Sequence, residues 1–522
     1  MSLFLCLLET QGNQAYVFAT NRERTARGAS ELLQVCTTSW IREAISGSKS
    51  DTLSLQDRTD WLHEEGNNPW LKGSSWDGVS VVVATSGRAV LISPNHGQLK
   101  DLISTVTEHA LREAPGLVVA GAIVEIDQNE KYCFGSAQRR AVRRIGENMS
   151  QLPSSYHRFA QLPPVELCSI SGLPVQHLVK QGKEKIAVSG LVESQMTWAS
   201  LSTKRFQKLV NDESLVDNVD KLPTSKSWRA VVHADGNGVG KIFIGLSERL
   251  WNESADFATN LRQWVQGYRD FSLALEEATE KAFVAATEEV GAKHVFPILL
   301  GGDDITVELS ADIARVFTET YLQEFETNSL SVLEALERYG DKSEAMPNRL
   351  TAAAGIAVVK AHFPFHIAYS IAVDLLENAK SAKLALDDDQ TFASTFDIHV
   401  AYDSSTFGLS DARSHKTSRD ERQLWGGPYV VGADSGKYRT SVQLNDLCQS
   451  VVSMGRSRQV QAIARALSIS DAETQRVLAN AQATGENLSE LTDLILDNSS
   501  STSIKRSLLL DVIDILDIEG AA

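Results

Sequence analysis

A chain of 522 residues, 43% hydrophobic and 22% charged, has ordinary globular composition and length for roughly three or four domains, which excludes a disordered or fibrous protein. The net charge of −17 argues against a chain whose main task is gripping DNA or RNA, because that affinity rests on a basic face that neutralises phosphates. No apolar run approaches the ~20 residues of a membrane span. The start, MSLFLCLLET, lacks the basic stretch of a signal peptide, and the five cysteines (Cys6, Cys36, Cys133, Cys168, Cys448) form no C-x-x-C pair. A cytoplasmic protein without membrane contact or zinc is expected. Nucleoside triphosphates stay open as ligands, since a few lysines and bound Mg²⁺ neutralise them locally.

Residues 1–162 open with the strand-like LFLCLLET. They continue with VSVVVATSGRAVLIS (Val79–Ser93), which reads as a hairpin, and GLVVAGAIVEID, which reads as a further strand. The most basic stretch, AQRRAVRR (Ala137–Arg144), reads as a solvated helix face. Residues 163–226 form a connector with CSISGLPV and the strand-like KIAVSGLV.

Residues 227–405 have a clear element order. WRAVVHAD (Trp228–Asp235) is a strand, followed by the glycine-rich GNGVGKIF and a long amphipathic helical region, roughly Ala258–Val290. Next come the hairpin LLGGDDITVEL (Leu299–Leu309) and a helix with Ser310 as its expected N-cap. A polar loop around Lys342 and Ser343 leads to the strand LTAAAGIAVVK. Pro364 opens a further helix, and STFDIHVAY closes as a strand. This β-α-β-β-α-β order, with an extra helix and strand, is a ferredoxin-like palm. Residues 406–440 read as a polar, turn-rich linker, and 441–522 as a C-terminal helical domain. The expected fold is α+β: two palms, the first degenerate, plus the helical domain.

The first palm is inferred from a faint repeat. LFLCLLETQGNQAYVF lies on WRAVVHADGNGVGKIF with Thr10 on Asp235, and TSGR then occupies the place of GGDD. The second palm would bring Asp235, at the end of its first strand, beside Asp303 and Asp304 at the hairpin tip. A solvated Asp-Asp turn is the local alternative. Three converging carboxylates would be costly without a cation, and they suit two-metal phosphoryl transfer. Gly236, Gly238 and Gly240, around Asn237, would let backbone N–H groups approach phosphate oxygens. Lys380 and Lys383 share a helix face; they are either solvated lysines at a helix end or a clamp on phosphates. His233 shares the strand face of Asp235 and is read as structural.

The segments YVFATNRERTARGASELL, LCSISGLP, HADGNGVGKIF, LLGGDDITVEL, VVKAHFPFHIAYSIAVDLLENAK and GGPYVV together resemble the large polymerase/cyclase subunit of type III CRISPR effector complexes. The resemblance implies that Asp303, Asp304 and Asp235 bind Mg²⁺ or Mn²⁺, that Gly301 and Gly302 form the turn against which the nucleotide lies, and that Lys380 meets the triphosphate. It implies palms paired within one chain with ATP between them, and conversion of ATP to cyclic oligoadenylates that activate antiviral defence. Implied partners are other subunits of the effector complex and guide RNA. The alternatives are a non-catalytic scaffold subunit, a stand-alone relative, or a cyclase making another cyclic nucleotide. A diguanylate cyclase is disfavoured, because its motif normally continues as GG(D/E)EF. The sequence departs from the family's pattern in having no His-Asp dipeptide of an HD-type nuclease, so DNA cleavage is not expected. Only Cys168 stands where a zinc-binding cysteine cluster is usual, and Asp235-Gly236-Asn237 replaces D-G-D.

Overall fold

The computed structural model describes the chain except residues 1, 50–51, 73–75, 151–164, 182–183, 224–226, 340–348, 389–392, 403–408, 415, 433–437, 454–457, 484–505 and 520–522, and the side chains of 72, 181, 383–388 and 458. The expected polar loop at Lys342 and Ser343 lies outside the described residues.

A continuous apolar run, Phe4–Leu8, with Glu9, Thr10 and Gln11 after it, forms β1 (Phe4–Gln11), buried from Leu5 to Leu8. It is followed by α1 (Asn13–Val17), α2 (Glu23–Thr37), α3 (Ser39–Ser46) and α4 (Leu55–His63), the last opened by a capping box between Ser54 and Asp57. The hairpin β2 (Ser80–Thr85) and β3 (Arg88–Ser93) turns at Ser86-Gly87, where Gly87 adopts φ 78°. Then come α5 (His96–Glu113), β4 (Val118–Glu125) and α6 (Cys133–Ser150), which carries the basic stretch. The sheet order is β2-β3-β1-β4.

The connector contains a hairpin, β5 (His177–Gln181) and β6 (Glu184–Val188), and a long helix, α7 (Gly190–Val210). KIAVSGLV is therefore a strand only to Val188; the Ser189 hydroxyl accepts from Val192 N–H and starts the helix. Cys168 and the other cysteines are free and buried.

The second palm repeats the order: β7 (Trp228–Gly236), α8 (Val239–Arg249), α9 (Phe257–Val290), β8 (Val295–Gly301), β9 (Asp304–Ser310), α10 (Ala314–Asn328), α11 (Leu330–Tyr339), β10 (Ala352–Lys360), α12 (Phe365–Asp388), β11 (Thr395–Val400). With the short β12 (Tyr429–Val430) the sheet order is β12-β11-β10-β7-β9-β8. β1, β2, β3 and β4 thus occupy the places of β7, β8, β9 and β10. The register corrects the sequence alignment by one residue: Glu9 stands opposite Arg88, the counterpart of Asp304 in the first hairpin, so Glu9 and not Thr10 takes the place of Asp235, while Thr10 N–H bonds Gly87 O at 2.9 Å. GNGVGKIF runs into helix α8, ahead of the long helix α9. The expected N-cap role of Ser310 changes. Ser310 ends β9 and gives its hydroxyl to Pro223 O; a 3₁₀ turn, Ala311–Ile313, separates it from α10.

The two palms lock together through reciprocal arginines. Arg27 of α2 lies 3.5 Å from the Phe296 ring centroid and donates to Pro297 O of β8 at 2.7 Å. Arg269 of α9 donates to Val81 O of β2 at 2.7 Å and to Asn68 at 2.9 Å. Arg27 also donates to Thr203 and to Val216 O of the connector, and Arg269 to Val82 O, so each buried guanidinium feeds several acceptors, which is how a buried charge is tolerated.

In the stretch read as a linker, α13 (Leu409–Ser414) sets Arg413 in a two-pronged pair with the buried Asp397, both bonds at 2.8 Å. The C-terminal elements are α14 (Ser441–Ser453), α15 (Arg458–Ile469), α16 (Asp471–Ala483) and α17 (Leu509–Glu519).

Candidate active site

The rim of the second palm is assembled by strand register. Asp235, next to last in β7, pairs across the ladder with Asp304, first in β9. Gly302 takes φ 64° in the tight turn that joins β8 to β9. Gly236 has no side chain, and Asp303 fills that space: a Cβ at 236 would lie 2.7 Å from Asp303 Oδ2. The three carboxylates thus meet at one edge, as the element order predicted. Gly301 faces the first palm, with its missing Cβ 2.9 Å from Ser86 Cβ, so the two hairpin tips touch.

Crowding by protein, then repulsion from Asp235 and from Asp304, raises the Asp303 carboxyl to about 7; burial and Asp235 raise Asp304 to about 8, with Lys380 opposing both. Asp304 still exposes 37% of its side chain, so it is a recessed group that solvent reaches. Its Oδ1 has no hydrogen-bond partner and stands 3.4 Å from His233 Nδ1. Lys380 Nζ meets Asp235 Oδ2 at 2.5 Å and Glu377 at 3.9 Å.

Among the described residues no three His, Cys, Asp or Glu side chains close on one metal position. The donor chemistry nonetheless fits a hard divalent cation: oxygen ligands only, an orphaned carboxylate oxygen, and repulsion that a cation would relieve. In this arrangement the Lys380 ammonium supplies the counter-charge to Asp235.

The remaining predicted residues divide. Gly238 adopts φ 73° as the N-cap of α8 and Gly240 lies in its first turn, so the glycine run presents a helix N-terminus. Asn237 is turned away: its amide donates to Thr351 Oγ1 at 3.0 Å and its N–H to Thr351 O at 2.8 Å. The Lys383 side chain lies outside the described residues.

Sequence reasoning left out four side chains here. His233 was seen to share the face of Asp235, yet its closeness to Asp304 needs the β7–β9 pairing. Tyr321 of α10 is buried with an unpartnered hydroxyl, raised by burial and then by Asp303, Asp304 and Asp235. Tyr369 of α12 packs on His233, ring centroids 5.2 Å apart, and Phe18, following α1 of the first palm, stacks on Tyr369 at 3.8 Å. The one sequence signal for Tyr369 is its helical spacing from Lys380.

Fold and site define a tandem-palm protein with an acidic hairpin tip on the second palm. Residues 229–385 match the family described as Cas10/Cmr2, second palm domain, and the chain carries a Cas10-like palm. No curated protein matches the chain in sequence. Among solved structures, it is similar to a Csm1-Csm4 cassette in complex with cA4 (12% identity, TM-score 0.48) and to a Csm1-Csm4 subcomplex of the type III-A CRISPR-Csm interference complex (10% identity, TM-score 0.48). In both, the whole of this chain and 70% of the other are covered. A Csm1-Csm4 cassette with one ATP is also similar, over 73% of this chain and 53% of that one, at 12% identity and TM-score 0.40.

Proposed function

We propose that the chain is a metal-dependent nucleotidyltransferase that converts ATP to cyclic oligoadenylate-type messengers. One observation carries the reading: Asp235 faces Asp304 across the ladder, Asp303 lies over Gly236, and Lys380 reaches into the same rim. Bound Mg²⁺ or Mn²⁺ would supply charge neutralisation at the transferring phosphate and lower the pKa of an attacking ribose hydroxyl. Asp235, Asp303 and Asp304 would hold it. Lys380 would leave Asp235 for the β- and γ-phosphates, and the N–H groups at the start of α8 would face phosphate oxygens. The attack on the α-phosphate is in line, with pyrophosphate leaving. The protein's part is positioning and electrostatics.

The product class, the effector-complex subunits and guide RNA as partners, and defence as the setting come from the sequence resemblance. None of the described helices is long and apolar enough to cross a membrane. Purified protein is incubated with α-labelled ATP, GTP, CTP and UTP and Mg²⁺ or Mn²⁺, beside Asp303→Ala/Asp304→Ala. A cyclic or oligomeric product from ATP that the double variant does not make is expected; equal product from both would refute the assignment.

The scaffold reading has one observation in its favour, since the Lys380–Asp235 pair occupies a carboxylate that catalysis needs. It predicts no product even with the complete set of subunits, guide and target RNA.

A further inference from the structure

Tyr369 is held in a way that packing alone does not require. Its ring is clamped between Phe18, stacked at 3.8 Å, and His233, tilted at 5.2 Å. Phe18 also meets Phe365, and just beyond it Asn21 Oδ1 accepts from His366 N–H at 3.0 Å, so the first palm pins the opening turn of α12. The ring is therefore fixed by both palms at once. Its hydroxyl is not: among the described residues it has no hydrogen-bond partner, and it is not sealed from solvent. Asp304 is one of the charges that acts on it. Tyr369, Val373 and Lys380 recur at helical spacing along α12 and are all half-buried. Lys380 touches Asp235, and Tyr369 touches His233 two residues further into the same strand. A half-open helix face thus runs beside β7, with a phosphate-seeking ammonium at one end and a preorganised hydroxyl at the other.

We propose that the Tyr369 hydroxyl is a substrate contact: it donates a hydrogen bond to the base of the nucleotide whose triphosphate lies at Lys380, and Phe18 of the first palm holds it in place. The assignment rests on the nucleotidyltransferase reading and deepens it. A fixed donor with no partner of its own is a specificity device, because a base lacking the matching acceptor leaves the donor unpaired. It also gives the degenerate palm a part in substrate recognition without metal carboxylates.

The test measures equilibrium binding of ATP and of inorganic tripolyphosphate, each with Mg²⁺, to the full chain and to Tyr369→Phe, Phe18→Ala and Lys380→Ala. Thermal unfolding serves as the folding control. Tyr369→Phe keeps the stacked ring and removes only the hydroxyl. The expected result is ATP binding weakened about three- to tenfold, the value of one neutral hydrogen bond, with tripolyphosphate binding unchanged. Phe18→Ala weakens ATP in the same sense, and Lys380→Ala weakens both ligands. ATP binding unchanged in Tyr369→Phe, or ATP and tripolyphosphate weakened alike, overturns the contact. If the wild-type chain binds neither ligand, the nucleotidyltransferase reading fails, and Tyr369 with it; binding that responds to Lys380→Ala but not to Tyr369→Phe sinks the Tyr369 assignment alone.

Discussion

Arg58 and Glu276 form a buried two-pronged ion pair between the palms, with side-chain exposures of 0% and 5%. Arg58 lies in α4 of the first palm, Glu276 in α9 of the second, and Arg58 Nη1 also donates to Ala84 O at 3.0 Å. Removing Arg58 leaves the Glu276 carboxylate buried without its two-pronged partner. Arg58→Ala is therefore expected to lower the unfolding free energy by about 3–5 kcal/mol. Arg58→Met with Glu276→Leu should recover most of that loss, because the second change removes the stranded carboxylate. Chemical denaturation of the three proteins checks it; a double variant no more stable than the single one would show that the pair is not the source of the loss.

Glu280, one turn after Glu276, gives the pH dependence. Burial first, and then Glu276, raises its carboxyl to about 7. The ordinary carboxylate value in the unfolded chain is about 4.3. Between those values the folded protein holds a proton that the unfolded chain has released, so stability falls as pH rises through the window and stays lower above 7. Glu280→Gln should raise the melting temperature at pH 8 by on the order of 1–2 °C and change it little at pH 4, near the unfolded value. A shift of equal size at both pH values would rule out titration as its cause.

Two glycines set close approaches that no other residue permits. A Cβ at Gly28 would lie 1.7 Å from Gln195 O, where α2 crosses α7, and one at Gly355 would lie 2.0 Å from Ala372 O, where α12 rests on β10. Both contacts are to backbone, which cannot swing aside. Gly28→Ala and Gly355→Ala should each cost about 3 kcal/mol or more, beyond ordinary overpacking. Gly146→Ala is the control: nothing lies within 4 Å of its Cβ position, and a small gain in helix stability is expected. The three melting temperatures decide it.

These glycines also mark how far the sequence could be read. Strand order and hairpins were legible because alternation and turn residues are local signals. The placement of Thr10 on Asp235 misses by one residue, because Glu9 stands opposite Arg88 as Asp235 stands opposite Asp304, and strand register is not a local signal. What stayed hidden depends on packing across the palms. GASELL is a motif whose glycine is needed only because α7 lies against it. Arg27 reaches Pro297 O, a contact that no local pattern around it announces. Asn237 was placed beside the phosphates for its position after Asp235, but Thr351, just before β10, takes its amide. His233 and Tyr369 belong to the site through contacts that no spacing in one chain segment displays.

The Asp235–Asp304 register carries the last prediction. Like charges directly opposite one another in a ladder destabilise it by up to about 1 kcal/mol, and here Asp303 adds to the repulsion while Lys380 offsets part of it. Asp304→Asn keeps the shape and removes one charge. Without divalent metal, the variant should melt a little above the wild type. With millimolar Mn²⁺ or Mg²⁺, the wild type should rise as the cation relieves the repulsion, and Asp304→Asn should rise much less. The order of stabilities then reverses or closes on adding metal. If metal raises both proteins equally, the cation binds elsewhere, and the three carboxylates lose their assignment as its ligands.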